Sequence, residues 1–271
     1  KKTSRLIAVG DPHQSIYGFR GANPESIDLI KREFNAASLP LSISYRCAQS
    51  VVRAAQEFVP HIEASESAPE GEVVALDSLT PAMLKSDDMV LCRNNAPLIS
   101  FAYECIGAKV PCVVKGRDIA SGLTKVVDKV SRGDDGMRII DFLQALGEWS
   151  EKQIAKLLAK DEDADVSAIV DKSECLAVIA HNGNVEDVAD LKSEVESLFQ
   201  KDDKVLPSML VLSSVHKAKG LEADRVYVLN RSLMPSRYAR QEWQMVQERN
   251  LAYVAFTRAK QGLYFFSRGR N

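Results

Sequence analysis

Four short stretches of this 271-residue chain carry residue types that hold anions or stack on flat rings, two of them beside glycines. The first runs from Gly10 to Gly21 and reads GDPHQSIYGFRG. Its three glycines permit backbone conformations that side chains forbid. Tyr17, Phe19 and Arg20 are the kind of set that stacks on unpaired bases. They are equally the kind that covers the end of a sheet. The second is Ser44-Tyr45-Arg46, where an arginine after a strand would reach an anion across the sheet edge or form a surface salt bridge. The third, His216-Lys217-Ala218-Lys219-Gly220-Leu221-Glu222, predicts either an electropositive loop or a solvated basic turn. In the fourth, Leu251, Val254, Ala255 and Arg258 share one helical face. An arginine continuing an apolar stripe is costly unless it is paired or meets an anionic ligand. That position suits a phosphate-contacting arginine finger, and it also suits a partner for a buried acid.

Each stretch follows a predicted strand or opens a predicted helix. Leu6 to Val9 reads as a buried strand stopped by Gly10-Asp11-Pro12. Asn23-Pro24-Glu25 reads as a helix start with a stripe of Ile27, Ile30 and Phe34. Leu39 to Ser44 reads as a second strand, and Ala48 to Val59 as a helix with Val51, Val52, Ala55 and Phe58 inward. Residues 61–71 read as a surface loop. Strands follow at Val73 to Leu76, Met89 to Arg93 and Val110 to Val114, with a helix over Pro97 to Gly107. Residues 116–204 carry helical periodicity and almost no strand pattern. Strands return at Met209 to Val215, Val226 to Leu229 and Leu263 to Phe266, with a helix over Gln241 to Lys260. This alternation predicts an α/β fold with a mostly parallel sheet and a helical insertion. In such sheets ligands bind at the carboxyl ends of the strands, where all four stretches fall.

Charge is unevenly spread. Residues 156–205 carry 13 acidic side chains against 6 lysines, and residues 207–271 carry 11 Lys/Arg against 4 acids. Either the final quarter meets a polyanion or the two segments dock on each other. The five cysteines contain no CxxC pair, so neither a disulfide framework nor a zinc site is expected, and no metal ligands are assigned. No apolar run approaches the ~20 residues that cross a bilayer, and a soluble cytoplasmic protein is the expectation.

Taken in order, the strings VGDPHQSIYGFRGAN (9–23), SYR (44–46), VHKAKGLE (215–222) and ERNLAYVAFTRAK (248–260) resemble the later motifs of superfamily 1 DNA helicases of the UvrD/Rep/PcrA type. The resemblance implies a RecA-like second motor domain and ATP-dependent movement along single-stranded DNA in the 3′ to 5′ direction. It implies that Gln14 senses the γ-phosphate, that Tyr45 stacks on adenine, and that Arg46 and Arg258 contact phosphate. Gly220 and Glu222 fall on the nucleotide side, with Glu222 at the ribose. Tyr17, Phe19, Arg20, His216 and Lys217 fall on the DNA side. Phe19 stands where close relatives often have tryptophan, a larger stacking face.

The departures carry equal weight. No G-x-x-x-x-G-K-[ST] loop occurs in the sequence, and the acidic segment that precedes the first string in the family is missing. The expectation is the carboxyl-terminal portion of a longer helicase, inactive alone. ATP and Mg²⁺ would be used by the full-length enzyme and not held tightly by this chain. Partners would be single-stranded DNA, duplex junctions and the amino-terminal RecA-like domain of the same protein. Residues 1–38 would trail from that first domain, 39–115 with 205–271 would form the second, and 116–204 the helical accessory insertion. Two other readings keep the same fold: a non-catalytic module that binds single-stranded DNA or a partner, and the motor part of a helicase–nuclease.

Overall fold

The computed structural model describes residues 6–23, 25–199 and 209–267. In chain order the helices are α1 (Ser26–Glu33), α2 (Gln49–Ala55), α3 (Ala96–Gly107), α4 (Arg117–Ser131), α5 (Ile139–Leu158), α6 (Ser167–Asn182), α7 (Val188–Phe199) and α8 (Glu242–Phe256). The strands are β1 (Ile43–Ser44), β2 (Glu63–Ala64), β3 (Glu72–Leu76), β4 (Met89–Cys92), β5 (Cys112–Lys115), β6 (Leu210–Ser214), β7 (Ala223–Leu229) and β8 (Ala259–Phe266). Six of them make one sheet in the order β3-β8-β7-β4-β6-β5, and every pairing in it is parallel. This is the expected α/β, RecA-like architecture.

The sheet's two faces follow from the two-residue period of a strand. Met89, Leu91, Val226, Val228 and Leu263 face a core shared with α2, α8 and Ile16. Val90, Cys92, Tyr227, Leu229, Leu210 and Leu212 face the other core, shared with α3 and the helices after it. Because both faces are covered, β4 is buried at every position, which is why such strands read as unbroken apolar runs.

The helices of 117–199 do not enclose a separate core. Leu123, Val127, Phe142, Leu176, Ile179, Leu191 and Val195 join the same cluster as Leu98, Ile99 and Phe101 of α3. A polar tie reinforces the joint. The Asp171 carboxylate on α6 accepts from the backbone N–H groups of Asn95 and Ala96 at 2.8 and 3.3 Å, and from the Asn95 amide at 2.6 Å. It thus caps the start of α3 from another helix, satisfying donors that a helix amino terminus leaves open. The assumed boundary at 204/205 lies outside the described residues.

Several sequence expectations need correction. Leu6 to Val9 is not a buried strand: it has no strand assignment, and Ile7 and Val9 are 86% and 83% exposed. An apolar run becomes a strand only where a neighbour completes its ladder, and none of the described strands pairs with it. Leu39 to Ser44 shortens to β1 for the same reason, with Leu39 and Leu41 exposed and only β2 as partner. That pairing also puts a short strand inside the 61–71 loop. The Asn23 side chain accepts from the Glu25 N–H at 2.8 Å, yet α1 starts only at Ser26 and contains no buried residue. The helix expected to reach Lys260 stops at Phe256. There Thr257 Oγ1 turns back onto the carbonyls of Tyr253 and Val254, and β8 begins two residues later. Arg258 therefore lies in the turn between α8 and β8.

Candidate functional site

The segment Ser44–Cys47 leaves β1 and lies alongside the α8–β8 turn. The Cys47 thiol donates to the Thr257 carbonyl at 3.8 Å, and the Ala48 N–H donates to the Lys260 carbonyl at 2.7 Å. Between these segments and the end of the 12–14 turn opens a cleft of about 620 Å³, lined by Gln14, Tyr45, Arg46, Glu222, Tyr253 and Lys260 among others. The Tyr45 ring is 82% exposed, so a flat apolar face is presented to solvent. Gly220 adopts a φ of +92° in the turn that delivers Glu222, a conformation natural to glycine.

Glu222 is the electrostatic centre of the cleft. One carboxylate oxygen lies 2.9 Å from Lys260 Nζ and the other 2.7 Å from Arg46 Nε. These cations, Lys260 foremost, hold the carboxyl below its ordinary pKa. Arg258 is 1% exposed. Its guanidinium donates to the carbonyls of Val254 and Leu221, each at 3.0 Å, and to Thr257 Oγ1 at 3.2 Å. All three acceptors are neutral, so the charge is satisfied by dipoles. Burial, then the nearby Arg46, pushes its pKa down. Desolvation and a neighbouring cation, without a paired carboxylate, make the surroundings of Arg258 receptive to an anion.

The expected DNA-side residues form a second group. Tyr17 donates its hydroxyl to the His216 carbonyl at 2.7 Å. Lys219 Nζ lies 5.5 Å from the centre of the Tyr17 ring and the Arg20 guanidinium 5.8 Å from it, within cation–π range. Lys219 also donates to the Gln14 carbonyl at 2.8 Å, so one lysine touches both Gln14 and Tyr17 of the 12–20 loop. The Phe19 side chain lies outside the described residues. The turn is less cationic than its sequence suggests. Burial, then Arg93 and Arg20, push the His216 pKa down to about 3, leaving a neutral ring. Lys217 is ion-paired with Asp118, in the first turn of α4, at 2.6 Å.

Helix α8 mounts this loop through residues that sequence reasoning missed. Gln247 accepts from the Gly18 N–H at 2.8 Å, and a side chain at position 18 would clash with that amide. Asn250 donates to the carbonyls of Pro12 and Ser15 at 3.1 and 3.0 Å. Glu248 takes a forked contact from Arg93 at 2.9–3.2 Å and the Ser236 N–H at 2.9 Å. The available signal was the apolar run that follows them: Leu251 to Phe256 are buried without a break, and the face of the preceding turns that carries Gln244, Glu248 and Asn250 is buried with them. A polar residue in a helix surrounded by core needs a partner.

The cleft thus lies where the amino ends of β7 and β8 meet the turn after β1, next to the aromatic and basic 12–20 loop. This contradicts the expectation that all four stretches fall at carboxyl ends of strands. The sequence comparisons give the family. Residues 138–268 match the UvrD-like helicase C-terminal domain and residues 1–35 the UvrD/REP helicase N-terminal domain. The chain belongs to the UvrD/Rep-like helicase family. It is 24% identical to DNA helicase II of Haemophilus influenzae, over 97% of this chain and 51% of the relative. It is 25% identical to F-box DNA helicase protein 1 of Schizosaccharomyces pombe, over 97% of this chain and 31% of the relative. A 59-residue stretch is 39% identical to ATP-dependent DNA helicase Rep of Buchnera aphidicola, covering 21% of this chain and 9% of the relative. The chain thus spans about half or less of the length of these relatives. The alignment with DNA helicase II runs over 372 positions and that with the F-box helicase over 285. The bacterial relative therefore carries many more inserted residues within the matched span.

Proposed function

We propose that this chain supplies the second motor domain, with part of the first, of an ATP-dependent 3′ to 5′ DNA helicase. The observation that carries the reading is the clustering of Gln14, Tyr45, Arg46 and Glu222 on one open cleft. Those four residues come from three separate stretches of sequence, and the resemblance assigns all of them to nucleotide.

The cleft's residues fit a nucleoside triphosphate. Tyr45 offers a stacking face, Arg46 offers positive charge, and Glu222 offers acceptors for ribose hydroxyls. Arg258, buried and outside the lining, would reach phosphate only by leaving its three internal acceptors. Bound ATP would supply the free energy of γ-phosphoryl hydrolysis. Gln14 would transmit nucleotide state to the rest of the 12–20 loop, because Lys219 binds its carbonyl and Asn250 binds the carbonyls on either side, of Pro12 and Ser15. Tyr17, Phe19, Arg20, His216 and Lys217 would contact single-stranded DNA, His216 as a neutral hydrogen-bonding ring and Lys217 after leaving Asp118. Among the described residues no group of three or more His, Cys, Asp or Glu side chains is placed to hold a metal. Magnesium and the phosphate cradle would be supplied by the amino-terminal RecA-like domain, the proposed partner, as the resemblance implies. Residues 117–199 would be the accessory insertion. No helix among the described residues is long and apolar enough to cross a membrane.

Two variants of the full-length protein test the assignment by separating its halves. Arg258→Ala should abolish DNA-stimulated ATP hydrolysis and spare DNA binding. Phe19→Ala should weaken single-strand binding by roughly 1–3 kcal/mol, the contribution of one stacked base. Retained hydrolysis would reduce Arg258 to a structural residue, and unchanged DNA affinity would remove Phe19 from the DNA path. The chain alone should show no DNA-stimulated ATPase, and robust turnover by it would contradict the division of labour.

A further inference from the structure

Lys260 has no role in the reading above, yet it is one of the two cations on Glu222. The two contacts are built differently. Glu222 directly precedes β7 and Lys260 lies at the start of β8, and these strands pair with Ala223 opposite Ala259. The Ala223 N–H donates to the Arg258 carbonyl at 3.0 Å, and the Lys260 carbonyl is anchored by the Ala48 N–H at 2.7 Å. Glu222 and Lys260 thus meet diagonally across the first pair of β7 and β8, Ala223 opposite Ala259. Arg46 reaches Glu222 from a separate element, the turn after β1, through a side chain that is 41% exposed.

A triphosphate entering this cleft would compete with Glu222 for Arg46, because both are anions and Arg46 comes from a separate element that is not part of the β7–β8 pair. With Arg46 withdrawn, Glu222 would lose one of its two cations beside a polyanion that repels it. Lys260, 2.9 Å from the other oxygen, would remain. We propose that Lys260 is a positioning residue of the nucleotide cleft: it holds the Glu222 carboxylate against the ribose hydroxyls while Arg46 moves to phosphate. This rests on the nucleotide reading of the cleft and adds a determinant of sugar recognition to it.

The test is a pair of equilibrium binding titrations of the full-length protein, with ATP and with 2′,3′-dideoxy-ATP, on the wild type and on Lys260→Met, Lys260→Arg and Glu222→Gln. A general loss of positive charge weakens both nucleotides alike and cancels in their ratio. The wild type should prefer ATP by about tenfold, the size of one charge-assisted hydrogen bond. Lys260→Met should bring the preference close to one, and Lys260→Arg should restore it. An equal loss for both nucleotides, with the preference intact, would make Lys260 a simple phosphate attractor and overturn the inference alone. A preference that survives Glu222→Gln, or is absent from the wild type, would overturn the ribose assignment beneath it. No binding of either nucleotide at millimolar concentration would overturn the nucleotide reading itself.

Discussion

Two glutamate–arginine pairs stand at opposite edges of the sheet, and they differ in nearly every physical respect. Glu222–Arg46 lies at the amino ends of β7 and β8, and Glu248–Arg93 at the carboxyl end of β4. Glu222 and Arg46 share a single 2.7 Å contact, with side chains 39% and 41% exposed. Glu248 and Arg93 share a forked contact, with side chains 9% and 13% exposed, and Glu248 also takes a backbone N–H. An exposed pair gains little, because water and salt screen it and two long side chains must be ordered. A buried pair is costly to break, because the surviving charge is left without solvent or partner. The first pair suits groups that must exchange partners with a ligand. The second suits groups that must not move. The Glu248 pair ties the end of β4 to α8, the helix that carries Gln247 and Asn250 and through them the 12–20 loop.

The comparison breaks most sharply at Glu248. Glu248→Ala should destabilise the fold by roughly 3–5 kcal/mol, the cost of orphaning a buried partner, measured by urea denaturation. A loss below about 1 kcal/mol, the range of surface pairs, would place Glu248 with Glu222. A middle-sized effect should come from His216, which lies between the two regions. Its folded pKa of about 3 is below the ordinary 6.5, so between those values the unfolded chain binds more protons. Its contribution to stability is then present above about pH 6.5 and lost as pH falls towards 3. His216→Gln should flatten that part of the stability–pH curve. An imidazole titrating near pH 6.5 in NMR spectra of the folded protein would contradict this. The smallest effect belongs to Arg46 and Glu222. A double-mutant cycle on stability should give a coupling of about 0–1 kcal/mol that fades with added salt. A larger, salt-insensitive coupling would mean the pair is structural.

Much of this arrangement was legible in the sequence, and the limits have physical causes. Strands buried on both faces announce themselves as apolar runs, so β4, β6 and β7 were anticipated within a residue or three. Leu6 to Val9 carries the same signature without a partner strand, and pattern cannot report the partner. The motif strings pointed to Gln14, Arg46 and Glu222, which line one cleft, and to Arg258, which lies buried in the turn after the helix and does not extend it. Lys260 and Glu248 went unassigned because a charged residue reads as solvated until the fold supplies what faces it. Lys260 needed the β7–β8 register, and Glu248 needed Arg93, 155 positions away. His216 was read as a contributor of charge, and only its burial shows otherwise.

The most direct test of the central claim is a residue-resolved NMR titration of this chain with ATP. If the exposed glutamate marks an exchangeable nucleotide cleft and the buried one a fixed support, signals of Tyr45, Arg46, Glu222 and Lys260 should move while those of Arg93, Glu248 and Gln247 stay in place. Shifts confined to the Arg93–Glu248 region, with the Glu222 cleft silent, would contradict the account.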